Sequence, residues 1–282
     1  MPDPRQPTGI NEIRQPSPHD LQIGLASHPG CVRERNEDSC LAFHFSLAQR
    51  GEAPLPVGLF VVADGMGGHS LGEQASALAC KLAAEHVIRQ VCLPLLAEGS
   101  DHSARPPINE VLERSVQIAH QAVARRLSEA GTTLTMALLL GDGVYIAHVG
   151  DSRAYLGEKS GLQALTRDHS MAARLLEMGQ ATEKESEAQR NILYKALGRG
   201  PDIEPDVVYH GLKQGQYLLL CCDGLWGELS DEEMAEIVNT APTPDIACQR
   251  LVARATEEGG EDNITVVLAT RGWPPKHGGE RV

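Results

Sequence analysis

The sequence predicts an α+β fold with largely antiparallel sheets, and three observations carry that prediction. Strand-like and helix-like segments come in batches rather than in strict alternation. Two apolar runs are joined at hairpin distance by Gly141-Asp142-Gly143, a turn signal for antiparallel pairing. Between about residue 21 and residue 271 no low-complexity linker and no repeat of fixed period interrupts the chain, which favours one domain.

The elements follow in order. Residues 1–20 are rich in proline and polar residues and lack periodicity, so they read as a flexible leader. Leu21–Ser27, Ser39–Phe45 and Val57–Ala63 read as strands. A helix is expected from Gly72 to Val91, apolar at Ala75, Leu78, Ala79 and Leu82. A second is expected from Pro107 to Ala130, with Ile108, Leu112, Val116, Ala119, Val123 and Leu127 at three- and four-residue spacing. Strands Thr132–Leu140, Val144–Val149 and Ala154–Gly157 come next. Residues 167–200 are polar and Glu-rich, helical in pieces, and read as a flap-like excursion. Gln216–Cys222 is a buried strand. Ser230 with Glu233 forms a capping box, and Thr243 before Pro244 is an N-cap whose helix stops at Gly259. Strand Ile264–Ala269 closes the domain, and 272–282 reads as a short tail.

Composition narrows the function classes. The 282 residues hold 38 acids against 25 bases, a formal net charge of -13, so the basic footprint of a nucleic-acid or anionic-membrane binder is missing. No apolar run approaches the ~18 residues of a membrane span. The first 20 residues lack the apolar core of a signal peptide. Seven cysteines with no CxxC pair or zinc spacing suit reduced thiols, and hence a cytoplasmic protein.

The placement of acids is the informative feature. Gly-Leu-Phe-Val-Val-Ala runs into Asp64-Gly65, and Tyr-Leu-Leu-Leu-Cys-Cys runs into Asp223-Gly224. Asp38 (after Glu37), Asp151 and Asp262 also flank strands. Any single Asp-Gly is most simply a turn, as Asp142-Gly143 is. Acids at the ends of several buried strands, however, are costly without a compensating cation. The candidate ligands are all oxygen donors, which select hard cations such as Mg²⁺, Mn²⁺ or Ca²⁺. HExxH and the P-loop pattern are absent from the sequence.

Eight short motifs then occur in one order: Arg33-Glu-Arg-Asn-Glu-Asp38-Ser39, Asp64-Gly-Met-Gly-Gly-His69, Gly131-Thr-Thr133, Gly150-Asp-Ser-Arg153, Leu165-Thr-Arg-Asp-His-Ser170, Ala196-Leu-Gly198, Cys222-Asp-Gly-Leu225 and Gly260-Glu-Asp-Asn263. The series resembles the bacterial metal-dependent serine/threonine protein phosphatases of type 2C, over residues 21 to about 270. The resemblance implies a four-layer sandwich: two antiparallel β-sheets packed face to face, with helices on both outer faces. It implies hydrolysis of phosphoserine and phosphothreonine in proteins by a hydroxide bridging two Mn²⁺ or Mg²⁺ ions. Asp64 would bridge the ions, the Gly65 carbonyl would bind one, and Asp223 and Asp262 would complete the other's shell. Asp38 would act mainly through metal-bound waters, with Glu37 supporting it. Asp151, with Asp223, would hold a possible third ion, and Arg33 would grip the phosphate.

Two departures stand out. Met66 occupies the position where animal-type relatives carry a histidine, and a flap histidine is missing ahead of Arg190-Asn191. Cys221 and Cys222 read as core, Asp168-His169 as a structural loop contact, and Arg153 as the partner of an acid near the metals rather than a substrate contact. Phosphoprotein substrates and a Hanks-type Ser/Thr kinase are the implied partners, with no nucleic acid or membrane, and the protein is expected to be a monomer. The alternatives are a pseudophosphatase that binds phosphoproteins without turnover, and a stress-type phosphatase acting on an anti-sigma antagonist.

Overall fold

Alternation along the central strands decides the architecture. The computed structural model describes residues 21–48, 54–67, 70–97, 105–182 and 189–273. In β3 (Leu55–Met66), Leu59, Val61 and Ala63 face one apolar cluster while Phe60 and Val62 face another. In β10 (Tyr217–Cys221), Tyr217, Leu219 and Cys221 face a third cluster, and Leu218 and Leu220 share the second with Phe60. A strand whose two faces are both apolar must be covered on both. The middle cluster therefore lies between two sheets and the outer two lie under helices, which is the expected four-layer sandwich.

One sheet has the order β1-β11-β10-β7-β8, from Leu21–His28, Ile264–Arg271, β10, Arg153–Glu158 and Gly161–Ala164. The other has the order β2-β3-β5-β6-β9, from Asp38–Leu47, β3, Leu134–Leu140, Gly143–Val149 and Asp206–Gly211, with the two-residue β4 (Gly131–Thr132) also paired to β3. All pairings are antiparallel. Against the second sheet pack α1 (Leu71–Val87) and α3 (Ile108–Arg126). Between them α1 widens into a π turn at Ile88–Cys92 and ends in α2 (Leu93–Leu96). Pro94 accounts for the widening, because its ring excludes the carbonyl four residues back. After α4 (Met171–Glu177) come α5 (Asp223–Trp226), α6 (Asp231–Thr240) and α7 (Pro244–Glu258), the last three covering the first sheet. The expected capping box at Ser230 and the Thr243 N-cap are both present.

Several boundaries differ from the sequence expectation. Strand β3 runs on through Asp64 and Gly65 to Met66, because Gly65 and Met66 pair with β4. The single strand expected from Thr132 breaks at Thr133, whose N–H and hydroxyl both turn to Asp64. The helix expected to reach Ala130 ends at Arg126. The tail expectation included Trp273, yet its indole N–H donates to the Ala241 carbonyl at 2.8 Å and the ring packs on the outer cluster. The expected leader (1–20), Glu183–Glu187, His69 and the tail beyond Trp273 lie outside the described residues.

Candidate metal centre

The antiparallel register of β2 and β3 sets Asp38 directly opposite Asp64. Asp64 is fixed from both sides of its peptide: its N–H donates to Thr133 Oγ1 (2.8 Å), and its carbonyl accepts from Thr133 N–H (2.9 Å) and Thr132 Oγ1 (2.8 Å). Thr133 Oγ1 also lies 2.7 Å from Ser152 Oγ, tying Asp64 to the segment that carries Asp151. At Gly65 a Cβ would lie 2.1 Å from the Gly72 carbonyl oxygen and 2.6 Å from that of Glu37, so only glycine fits this turn.

Asp223 opens α5 at the end of β10. Asp262, before β11, accepts from the Asn263 N–H on Oδ1 (2.8 Å) and from Arg33 Nη2 on Oδ2 (2.7 Å). Buried Asn263 then closes the loop that carries Arg33, Glu37 and Asp38. Its Oδ1 accepts from Glu37 N–H (2.7 Å), and its Nδ2 donates to the carbonyls of Pro29 (2.9 Å) and Arg35 (2.8 Å). Asp151 is buried, and its carbonyl accepts from the Trp226 indole N–H at 3.0 Å.

The electrostatics show what this arrangement lacks. Burial, then the charges of Asp223 and Asp262, push the Asp38 carboxyl up to about 7; Thr265 and Cys222 act the other way, although neither closes a hydrogen bond to it. Burial and the charges of Asp223 and Asp168 push Asp151 up to about 8. Asp64 is raised well above the carboxylate range by burial, then Asp223, Asp38, Asp151 and Asp262. Asp223 is raised by burial and Asp262, with Asp64, Arg190 and its helix N–H opposing. Both oxygens of Asp38 and Oδ1 of Asp223 are buried without a partner. Among the described residues no three His, Cys, Asp or Glu side chains stand in an arrangement that would hold a metal ion as it is. The centre is a cluster of mutually destabilised carboxylates, and its orphaned oxygens fit hard divalent cations by donor type and charge.

Around this centre Arg33 is exposed. Partial burial works against its charge, but Asp262, with Asp64 and Glu37 behind it, raises its pKa. Glu37 is raised by partial burial. Arg153 takes Asp168 in a two-pronged pair (2.9 and 2.8 Å), as expected of a structural ion pair. Asp168 and His169 are no dyad, since His169 Nδ1 instead accepts from the Gly150 N–H at 3.1 Å. Cys221 and Cys222 are buried as expected, and all seven cysteines are free. Cys222 Sγ nevertheless feels the charges of Asp38, Asp64 and Asp223, so it also borders the centre. Sequence reasoning gave no role to Asn263, Thr133 or Trp226. For Asn263 and Thr133 the only signal was membership of the short motifs, and Trp226 lies one residue outside its motif, because each acts through a partner remote in the chain.

A half-buried set of oxygen donors at strand ends of a double-sheet sandwich, with arginine beside it, defines the chemical class: a centre for hard cations and an anionic substrate. Residues 34–251 match the protein phosphatase 2C family, and the chain belongs to that family. The serine/threonine phosphatase stp of Listeria monocytogenes is 35% identical over 244 residues, 86% of this chain and 92% of the relative. Among solved structures, the S. agalactiae serine/threonine phosphatase superposes with a TM-score of 0.73 at 31% identity, over 89% of this chain and 99% of that one. The catalytic domain of the serine threonine protein phosphatase PstP in complex with two manganese ions has a TM-score of 0.71 at 30% identity, over 89% and 97%.

Proposed function

We infer that this protein is a metal-dependent phosphatase that removes phosphate from phosphoserine and phosphothreonine in proteins. The observation that carries the reading is the cluster of Asp38, Asp64 and Asp223, each raised by burial and by neighbouring carboxylates, with unpartnered buried oxygens on Asp38 and Asp223, beside Arg33. Asp64, the Gly65 carbonyl, Asp223 and Asp262 would hold two divalent ions, with Asp64 common to both. Asp38 would act through their waters, with Glu37 supporting it. Asp151, with Asp223, would hold a third ion if one binds. Bound Mn²⁺ or Mg²⁺ would supply a water ionised near neutral pH and positive charge facing the phosphoryl oxygens.

Arg33 binds the phosphoryl group, and its pairing with Asp262 keeps the guanidinium at the centre's edge before substrate arrives. Thr133 and Asn263 fix the backbones that present the acids. Among the described residues no helix is long and apolar enough to cross a membrane. The same reading makes the protein a cytoplasmic monomer that opposes a Ser/Thr kinase and has no nucleic-acid partner.

The test is phosphate release from a phosphothreonine peptide after EDTA treatment, with Mn²⁺, Mg²⁺ or Zn²⁺ restored in turn. Release should return with Mn²⁺ or Mg²⁺. Measurable Mn²⁺ binding without release under any metal would replace the enzyme with a phosphoprotein-binding module.

A further inference from the structure

Arg190 and Trp226 have no part in the roles assigned above. Trp226 ends α5, three residues past Asp223, and its indole N–H is committed to the Asp151 carbonyl. Two guanidinium groups lie against its ring, Arg153 at 3.5 Å and Arg190 at 4.4 Å from the centroid. They differ in charge balance. Arg153 is neutralised by its two-pronged pair with Asp168, whereas Arg190 has no carboxylate partner among the described residues.

Gly227 completes the seat. Its φ of -74° is ordinary, so conformation does not demand glycine. A Cβ there would instead lie 2.8 Å from Arg190 Nη2 and 2.6 Å from the Asp223 carbonyl oxygen. A positive charge with no carboxylate partner among the described residues is thus held on an aromatic face at the edge of the acidic centre, in a protein whose net charge is -13.

We propose that Arg190, seated on Trp226 and Gly227, is a specificity-determining contact that pairs with an acidic side chain flanking the phosphoresidue of the protein substrate. This rests on the phosphatase reading. The flanking side chain, rather than the phosphate, follows from position. Arg33 stands at Asp262, next to the reacting centre. Arg190 is seated at the far end of α5, a helical turn of about 5 Å beyond Asp223. Arginine suits the task because its fork matches a carboxylate and keeps its charge at any working pH.

The experiment uses the Mn²⁺-loaded full chain and two phosphothreonine peptides, identical except for aspartate or lysine beside the phosphoresidue. Affinity is read by fluorescence anisotropy on slowly hydrolysed thiophosphate forms, and kcat/KM on the phosphate forms. Wild type should prefer the aspartate peptide by roughly fivefold in Kd. Arg190→Ala should bring the ratio close to one, Arg190→Lys should keep most of it, and Arg190→Glu should invert it in favour of the lysine peptide. A ratio that stays the same in Arg190→Ala and Arg190→Glu, whatever happens to absolute affinity, overturns the proposal. Absent turnover with the Kd ratios as expected would instead remove the phosphatase reading and leave the contact standing.

Discussion

Asp38 and Asp64 face each other across neighbouring antiparallel strands, and Asp223 adds a third carboxylate charge to both. Such a group is costly unless a cation or protons offset it. Asp64→Ala or Asp223→Ala should therefore lower phosphate release by at least about 100-fold while the circular dichroism spectrum is retained; full activity in either variant would remove the assigned ligands. Arg33 makes a different prediction. In its proposed role it meets the phosphoryl group in the ground state as well as the transition state, so Arg33→Ala should mainly raise KM for a phosphopeptide. A fall in kcat alone, measured by initial rates, would contradict that role. These acids were legible in the sequence because each stands at the end of a strand-like run, and those before Asp64 and Asp223 are almost wholly apolar. Asn263 was not: its bonds to Glu37 and Arg35 join residues that lie far apart in the chain, and no local pattern encodes them.

At the scale of elements, what the sequence shows depends on whether an element carries its own signal. Strands β3 and β10 are apolar on both faces, so period and length reveal them. The α6 start was legible because a capping box is a local device: Ser230 Oγ accepts from the Glu233 N–H, and the Glu233 carboxylate accepts from the Ser230 N–H. Strands β8 and β9 escaped prediction. Each is an edge strand with few fully buried side chains, and pairing with β7 and β6 fixes it rather than its own pattern. The break at Thr133 escaped too, since it answers the needs of Asp64 across the sheet. Ser230→Ala removes a cap without touching the centre. It should cost about 1 kcal/mol, read as a lower urea midpoint at unchanged slope, with kcat unaffected. An unchanged midpoint would mean that tertiary packing alone holds α6.

For the whole molecule, the centre makes stability, charge and metal binding one problem. Asp38 titrates at about 7 and Asp151 at about 8 in the folded metal-free protein, against an ordinary 3.8. Across that interval the folded chain holds more protons than the unfolded one, so stability falls as pH rises. The cost is absent below the ordinary value and complete above the folded one. Metal-free protein should melt higher at pH 5.5 than at pH 8.5, by at least about 4 °C, the shift that 1–2 kcal/mol produces in a domain of this size. The general acidity of the surface gives a trend of the same sign, so the deciding quantity is the increment on adding Mn²⁺. A cation competes with protons for these carboxylates, and its stabilisation should be small at pH 5.5 and large at pH 8.5. Surface repulsion would give no such growth. Calorimetry at both pH values, with and without Mn²⁺, separates the two, and an increment independent of pH would mean that the acids of this centre do not share the ion.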